Sequence, residues 1–587
     1  MIFLINENAR QKINESIEWL NKSLSILNYD NISKATECIL EAIEYLKNSP
    51  LIQTSFIEKN LTLGHASSIE SFVYPIDTYD TNILSLISNP DILEIKSGLM
   101  VPKAVGNTTI DLYLDNYTKK YSIAVSVTAR EVPSYNKIYN VINSNWGIST
   151  DATNYVNNTL GFTNMLKWAA ENNYDKVVLE NGIYFLDESS YIEVPSNICI
   201  DLNGSTLKLN PSANEGIKMI NIGKVNNVRI TNGTIYGDRE SRNSSESNKE
   251  FVHGIVLNSC NGVELDNLEI TQVQGYGIAM SRGERKNLVF VSKGNLEEYS
   301  INNWRTINKI NITSIENSFE FSNPFGYGGI GSLTDSVIFD CIFYNSLDEV
   351  IEIKENIKYY VEIKKPNGAT KLDLKLRNTT INGEGNVDFG SSVIFITEHS
   401  FTNNLYIHDC HIHSNKSLGI AYSAGGTNNL IDNNIFENNG GAYANHDLDL
   451  EDGWEFMRNL TISNNTFGSK WGVILCSGTN INIYNNTFNS TLDIDQRCVN
   501  TRIIDNTFNG RSVNATCEWY SGAVFFNSNN FIGTSITLNN ARPKEVKRIY
   551  FENDKATNGC ILKNISSSQI IEGLLYDDTC NIIGNFI

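Results

Sequence analysis

A mainly β chain wound as a long parallel β-helix is the fold class that this sequence predicts, on three observations. An apolar residue is followed five positions later by another, with Asn, Asp or Gly between, at Leu202/Leu207, Ile230/Ile235, Leu265/Ile270, Ile310/Ile315, Ile338/Phe343, Leu376/Ile381, Ile407/Ile412, Ile431/Phe436, Ile462/Phe467, Ile483/Phe488 and Ile503/Phe508. The interval between successive second members runs from 20 residues (Phe488 to Phe508) to 45 (Ile270 to Ile315), as short coils with loops inserted on one side require. The residue pairs between the apolar positions, Asn433-Asn434, Asn464-Asn465, Asn485-Asn486 and Asp505-Asn506, suit a bend, because Asn tolerates the left-handed backbone and can hydrogen-bond its neighbour one coil away. A leucine-rich solenoid is disfavoured because its Leu-x-x-Leu-x-Leu frame is absent.

Length agrees. At 587 residues the chain exceeds what one ordinary core serves, so a repeat array and smaller domains must share the apolar residues. A formal net charge of −20, with no clustered Lys or Arg, argues against nucleic acid as a partner. No stretch reaches membrane-spanning length, and Met1-Ile2-Phe3-Leu4-Ile5 lacks the basic flank and length of a signal peptide, so neither membrane insertion nor secretion is expected. The ten Cys are far apart with no CxxC pair and read as reduced, structural thiols.

In chain order, residues 1–58 form an N-terminal helical segment. Ile13, Ile17, Leu20, Leu24 and Leu27 mark one helix, and Ala35, Ile39, Ala42 and Leu46 a second capped by Asn31 or Ser33. A helical hairpin and a self-associating stalk or docking piece fit this pattern equally. Over 59–132 the period changes to two, with Ile110-Leu112-Leu114 and Ile123-Val125-Val127 alternating as strands of a small β-sandwich. Residues 133–189 hold a helix bearing Leu166, Ala169 and Ala170 on one face, which covers the open end of the coils at 190–515. Residues 516–587 are a β-rich C-terminal cap or trimerisation element.

The run from Leu84 to Ile110, with Asn89-Pro90-Asp91 and Gly98-Leu99-Met100-Val101-Pro102, resembles the bacterial Ig-like group 2 domains, which implies a presenting module without chemistry of its own. Trp146-Gly147-Ile148-Ser149-Thr150-Asp151, the following helix, and Val177-Val178-Leu179 leading to Gly182-Ile183-Tyr184 resemble the opening segment of pectate-lyase-like bacteriophage tailspikes. That resemblance implies a right-handed parallel β-helix, a homotrimer, a virion location with release at host lysis, attachment to tail or baseplate proteins through the N-terminus, and a bacterial surface polysaccharide as ligand. The Asn, Ile and Lys bias points to an AT-rich phage of a Gram-positive host, hence wall teichoic acid or capsule.

A second strand of each coil aligns as Val350-Ile351-Glu352-Ile353, Val393-Ile394-Phe395-Ile396, Gly419-Ile420-Ala421-Tyr422, Asp447-Leu448-Asp449-Leu450-Glu451 and Val473-Ile474-Leu475-Cys476. Alternation then turns Ile351/Ile353, Ile394/Ile396, Leu448/Leu450 and Ile474/Cys476 inward and exposes Asp447, Asp449 and Glu451 on one face, about 6.5 Å apart by strand rise. Together with Asp452 they are the candidate catalytic residues. A glycosidase needs one carboxylic acid to protonate the leaving oxygen and one carboxylate as base or nucleophile, and crowding of like charges raises one pKa to make the acid. Glu352 and Glu398 on preceding coils, His446, Tyr443, Trp454 and Arg497 are the candidate substrate-binding residues, the aromatic rings as stacking platforms. A lyase using Asp449 with Arg497 is the less favoured chemistry. No cofactor is expected; a structural Ca²⁺ is compatible with the acidic strip. His408-Asp409-Cys410-His411-Ile412-His413 spreads its side chains along a bend and is not expected to bind zinc, so no metal site is assigned. A depolymerising spike, a receptor-binding spike without catalysis, and a secreted adhesin or glycan hydrolase remain open as functions.

Overall fold

The two-per-coil apolar positions build a stack because each short strand hydrogen-bonds to its equivalent in the next coil. In the computed structural model the described residues are 51–587 apart from 55–57, 70, 75–83, 114–118, 132, 243–249, 282–285, 292–296, 299–303, 316–317, 323–336, 358–362, 379–393, 399–401, 424, 442–444, 452–456, 518–523, 541–548 and 567–568. The heptad-like helices expected before residue 51 lie outside them. The chain is a parallel β-helix with two long walls, one of 22 strands and one of 14. The first wall is folded along its length, since many of its coils contribute two short strands, such as Ile407 with His408 and then Ile412 with His413.

The fold line lies at the Asn pairs. The first member takes the left-handed backbone, at Asp409, Asn433, Asn464, Asn485 and Asp505, with φ between 52° and 56°. The second turns into the interior and joins a ladder. The amide oxygens of Asn434, Asn465, Asn486, Asn506 and Asn529 each accept the backbone N–H of the residue one coil earlier, at 2.8–3.0 Å. Their amide nitrogens donate to the carbonyls of Ile407, Ile431, Ile462, Ile483 and Ile503. The ladder ends on Asp554, which accepts from both nitrogens of Asn529. Beside it Phe436, Phe467, Phe488, Phe508 and Phe531 stack with centroids 4.8–5.0 Å apart, the spacing of hydrogen-bonded strands. A buried amide is tolerated in this apolar interior only because its donors and acceptor are all used.

The helix Tyr155–Glu171 closes the first coils with Phe162, Met165, Leu166 and Ala169, all nearly fully buried. The parallel pairing of the coils starts at Ile138–Asn140 and continues through Asn581–Ile583, so described strands after residue 515, expected in a separate cap, add further coils to the same two walls. The small β-domain has Gly106–Tyr113 antiparallel to Lys119–Thr128, with Ile110 opposite Ile123 as the alternation predicts. It lies against the first wall: Lys96 pairs with Asp505 at 2.6 Å, Arg502 donates to the Ser97 carbonyl at 2.9 Å, and Ala66 and Leu99 pack on Ile504.

One expectation about the coils is overturned. Ile310/Ile315, Ile338/Phe343 and Leu376 are not on coils, and Ile381 lies outside the described residues; the described residues between 286 and 398 form antiparallel sheets with a core of their own, built on Phe319, Phe321, Phe339, Phe343, Leu372 and Leu374. This lobe is inserted between the adjacent coil strands Tyr276–Met280 and Leu418–Tyr422. Alternation has the same period in parallel and antiparallel strands, which is why the apolar spacing misled. Val337–Tyr344 runs as one unbroken strand, without the left-handed Asn or Asp that bends a true coil.

Candidate functional site

The 14-stranded wall turns Ile420, Leu448, Leu450, Val473 and Leu475 into the core. Of the expected inward pairs, Leu448/Leu450 is observed. Ile351 and Ile353 are exposed in the inserted lobe, Ile396 is buried in that lobe's own core, and Ile474 is paired with the outward Asp449 rather than with an inward residue. The outward column beside them reads Val256, Ala279, Ala421, Asp449, Ile474 and Asp493 over successive coils.

Asp447 does not share that outer surface, contrary to expectation. It is fully buried at the corner, where it accepts from Asn439 Nδ2 at 2.9 Å, from Ser469 N at 3.2 Å and from the Ser469 hydroxyl. Those donors close a short second ladder, in which Asn439 accepts from Asn415 and donates to the Ile412 carbonyl. Asp447, the second residue of its strand, is drawn into the corner by its donors, whatever its parity along the strand. Burial pushes its carboxyl up to about 7.

Asp449 faces outward yet is only 8% exposed, and among the described residues its Oδ1 has no hydrogen-bond partner. Burial first, then the nearby carboxylates of Glu451 and Glu250, push its carboxyl up to about 7. Glu451, half-buried, accepts a hydrogen bond from the Ser423 hydroxyl on the preceding coil. Tyr276 lies in the same field: burial, Glu451, Glu250 and Asp449 all raise its phenol, and its hydroxyl donates to Glu250 Oε1 at 2.9 Å. Four titratable groups thus act on one another electrostatically, and two of them, Glu250 and Tyr276, were not expected from the sequence. Parity along Tyr276-Gly277-Ile278-Ala279-Met280 was a usable signal for the tyrosine; Glu250 lies in a connection and carries no periodic signal.

Aromatic residues border the same wall. Tyr276 stacks on His253 at 4.6 Å, His253 meets Phe251 edge-on at 6.3 Å, and Phe251 is 59% exposed. Further along, His446 is paired in register with Trp471, which is 39% exposed, their rings 6.3 Å apart. Burial lowers the His446 imidazole to about 4, leaving it a neutral ring. Tyr443, Asp452 and Trp454 lie outside the described residues. Glu352 and Glu398 are corrected: both sit in antiparallel strands of the inserted lobe, Glu352 exposed and 3.6 Å from Lys354, Glu398 in register with Lys286, so neither extends the coil surface. Arg497 is in register with Ser477, on the strand following that of Trp471.

The arrangement suits proton transfer. A carboxylic acid held protonated near neutrality beside a second carboxylate is what cleavage of an acetal between sugars requires. The described residues that bring three metal-type ligands within 4.8 Å are Glu264, Asp266 and His408, and these are already engaged. Arg229 holds both oxygens of Asp266 at 2.7 and 2.8 Å, and Arg130 reaches Glu264 at 3.1 Å and His408 at 2.9 Å. His411 and His413 stack apart from this group at 4.1 Å, and the Cys410 thiol is buried against the Leu265 and His408 carbonyls.

No family model matches the chain. It is 28% identical over 150 residues to the SPbeta prophage-derived uncharacterized protein YorA of Bacillus subtilis, a match covering 23% of this chain and 26% of that protein. It is 27% identical over 155 residues to the uncharacterized protein YclG of the same organism, covering 24% and 26%. The chain thus spans about a quarter of the length of the curated relatives it matches. Similar solved structures include the A-module of the mannuronan C-5 epimerase AlgE6 of Azotobacter vinelandii, at 11% identity and a TM-score of 0.34 over 76% of this chain and 98% of that one. A tailspike protein of E. coli bacteriophage HK620 in complex with a pentasaccharide matches at 9% identity and 0.36, over 74% and 64%. The N-terminal fragment of bacteriophage Phi29 gene product 12 matches at 10% identity and 0.36, over 74% and 70%.

Proposed function

We propose that this chain is a phage spike that binds a polysaccharide of the bacterial surface and hydrolyses its glycosidic bonds during adsorption, with Asp449 as the general acid and Glu451 as base or nucleophile. The observation that carries the reading is Asp449: an outward carboxyl on a coil strand, nine-tenths buried, with an oxygen that no described residue satisfies, next to a second carboxylate. An unsatisfied buried polar atom is expensive, and a substrate's glycosidic oxygen is a partner of the right kind. The parallel β-helix supports a polymer ligand, because equivalent residues recur every 4.8 Å or so along one wall, and the exposed rings of Phe251 and Trp471 offer stacking surfaces along it. The match to a prophage-derived protein of B. subtilis supports a phage origin and a Gram-positive host, for which wall teichoic acid or capsule is the polymer. The homotrimer, attachment to the virion through the N-terminal segment and an extracellular place of action complete the proposal.

Reducing ends released from purified host wall polysaccharide test it, with the wild-type chain compared with Asp449→Asn and Glu451→Gln. Loss of release in both variants with binding kept supports hydrolysis at this site. Saturable binding without release from the wild type makes the chain a receptor-binding spike, and release that survives both substitutions places the chemistry elsewhere.

A further inference from the structure

Glu250 is a carboxylate that no coil strand supplies. It precedes Val252–Asn258, and its backbone is seated so closely that a Cβ on Gly275 would overlap its carbonyl oxygen and stand 2.6 Å from that of Val252. Its Oε1 is gripped twice, by the Tyr276 hydroxyl at 2.9 Å and the Ser417 hydroxyl at 3.3 Å. The neighbouring Asp449 Oδ1 is buried and has no hydrogen-bond partner among the described residues. A fixed carboxylate and one buried, unsatisfied carboxyl oxygen thus adjoin the half-buried Glu451, and the residue after Glu250 presents an exposed aromatic ring.

We propose that Glu250 and Phe251 form a sugar subsite beside Asp449 and Glu451 that selects glycan units bearing a free ammonium group. The assignment rests on reading Asp449 and Glu451 as the glycan site, and it narrows the ligand. Uronate units, or teichoic-acid phosphodiesters without ammonium substituents, would bring a further negative charge to carboxylates already crowded together, whereas an alkylammonium relieves that crowding. A bare metal ion is the poorer fit, because these carboxylates are not among the described groups whose ligand atoms come within 4.8 Å of one another. An ammonium carried on a sugar ring has three donors and spans wider gaps, and the ring's C–H face can lie on Phe251. The shelf under that ring is firm, since Phe251, His253 and Tyr276 contact one another in series.

Calorimetric titration of the full chain with glucosamine, N-acetylglucosamine and galacturonate tetramers tests the subsite. The glucosamine tetramer is expected to bind, and Glu250→Gln to weaken it about 10-fold, the loss of one charge-assisted hydrogen bond. The same substitution should leave the acetylated tetramer unchanged, and the galacturonate tetramer should bind most weakly. Glutamine keeps the oxygen that Tyr276 and Ser417 hold, so a matching thermal melt shows that the variant folds. Phe251→Ala should weaken the amino and acetylated tetramers alike. Galacturonate binding as tight as glucosamine, no saturable glucosamine binding, or indifference of glucosamine binding to Glu250→Gln each overturns the proposal. The hydrolysis reading fails separately: amine-selective binding without reducing-end release leaves this subsite standing and removes the chemistry, and release from a polyuronate does the reverse.

Discussion

Asp447 and Asp449 are two residues apart on one strand, and burial pushes both carboxyls up to about 7, yet they belong to different regions. Asp447 sits in the laddered corner with three donors directed at it; Asp449 sits on the outer wall with an oxygen that nothing described satisfies. Asp554, at the end of the long Asn ladder, is a third carboxyl raised to about 7, and it too is held by several donors. A perturbed pKa therefore does not separate scaffold from site in this molecule. The inventory of partners does, because a ladder residue has used its hydrogen-bonding capacity on the fold and a site residue has kept it for a ligand.

The sharpest way to break that distinction is to neutralise each carboxyl. Asp449→Asn should lower reducing-end release about 10³-fold, the size of a lost general acid, while the thermal melt stays at or above wild type. Glu451→Gln should do the same to release. Removing its charge also stabilises ionised Asp449, so any residual activity of that variant should lose its alkaline limb at lower pH than the wild type, whose limb falls near 7. A large stability loss in Asp449→Asn with activity kept would reverse the roles assigned to wall and corner.

The corner should answer the other way. Asn486→Ala removes the acceptor of the Asn465 backbone N–H, the acceptor of one of the two Asn465 amide hydrogens and the side-chain donor to the Ile462 carbonyl, a loss of roughly 3 kcal/mol of stability by denaturant melting. Activity per folded molecule should not change. Asp447→Ala, which orphans the Asn439 and Ser469 donors, should behave like Asn486→Ala and unlike Asp449→Asn.

Much of this was legible in the sequence, and what was not has physical causes. The Ile/Phe spacing with an Asn pair between gives both the bend and the ladder, because one Asn must turn left-handed and the next must face inward. Leu448 and Leu450 follow from alternation alone. Asp447 obeys the same alternation on paper, but it lies near the start of its strand, close enough to the corner for Asn439 and Ser469 to claim it. The inserted lobe imitated coils because alternation does not report strand direction. Glu250 was invisible: its place depends on a connection passing against Gly275, a tertiary contact with no periodicity.

A pH titration sharpens the comparison further. A carboxyl whose folded pKa lies above its unfolded value of 3.8 contributes stability that is complete below about 4 and is lost as pH rises towards 7, since the unfolded chain releases the proton first. Asp449→Asn carries no such proton. Its stability advantage over the wild type should open between pH about 4 and about 7, reach about 2 kcal/mol, roughly half of what a three-unit shift gives in full, and stay constant above. An advantage that shrinks with rising pH would contradict the burial of an ionisable Asp449.

The smallest expected effect lies at the outer edge of the ladder. Asn485 holds φ at 54° and donates to Asn464 Oδ1 at 2.7 Å on the exposed side, so its amide matters less than its backbone. Asn485→Gly should change stability by a few tenths of a kcal/mol, while Asn485→Val, which sets a branched Cβ against the left-handed conformation, should cost about 1–2 kcal/mol. Urea melts of the two variants measure that difference. Equal melts would mean that the bend is imposed by Asn486 and the stacked phenylalanines alone; the expected order would show that each Asn pair divides its work, one residue turning the chain and the next tying the coils together.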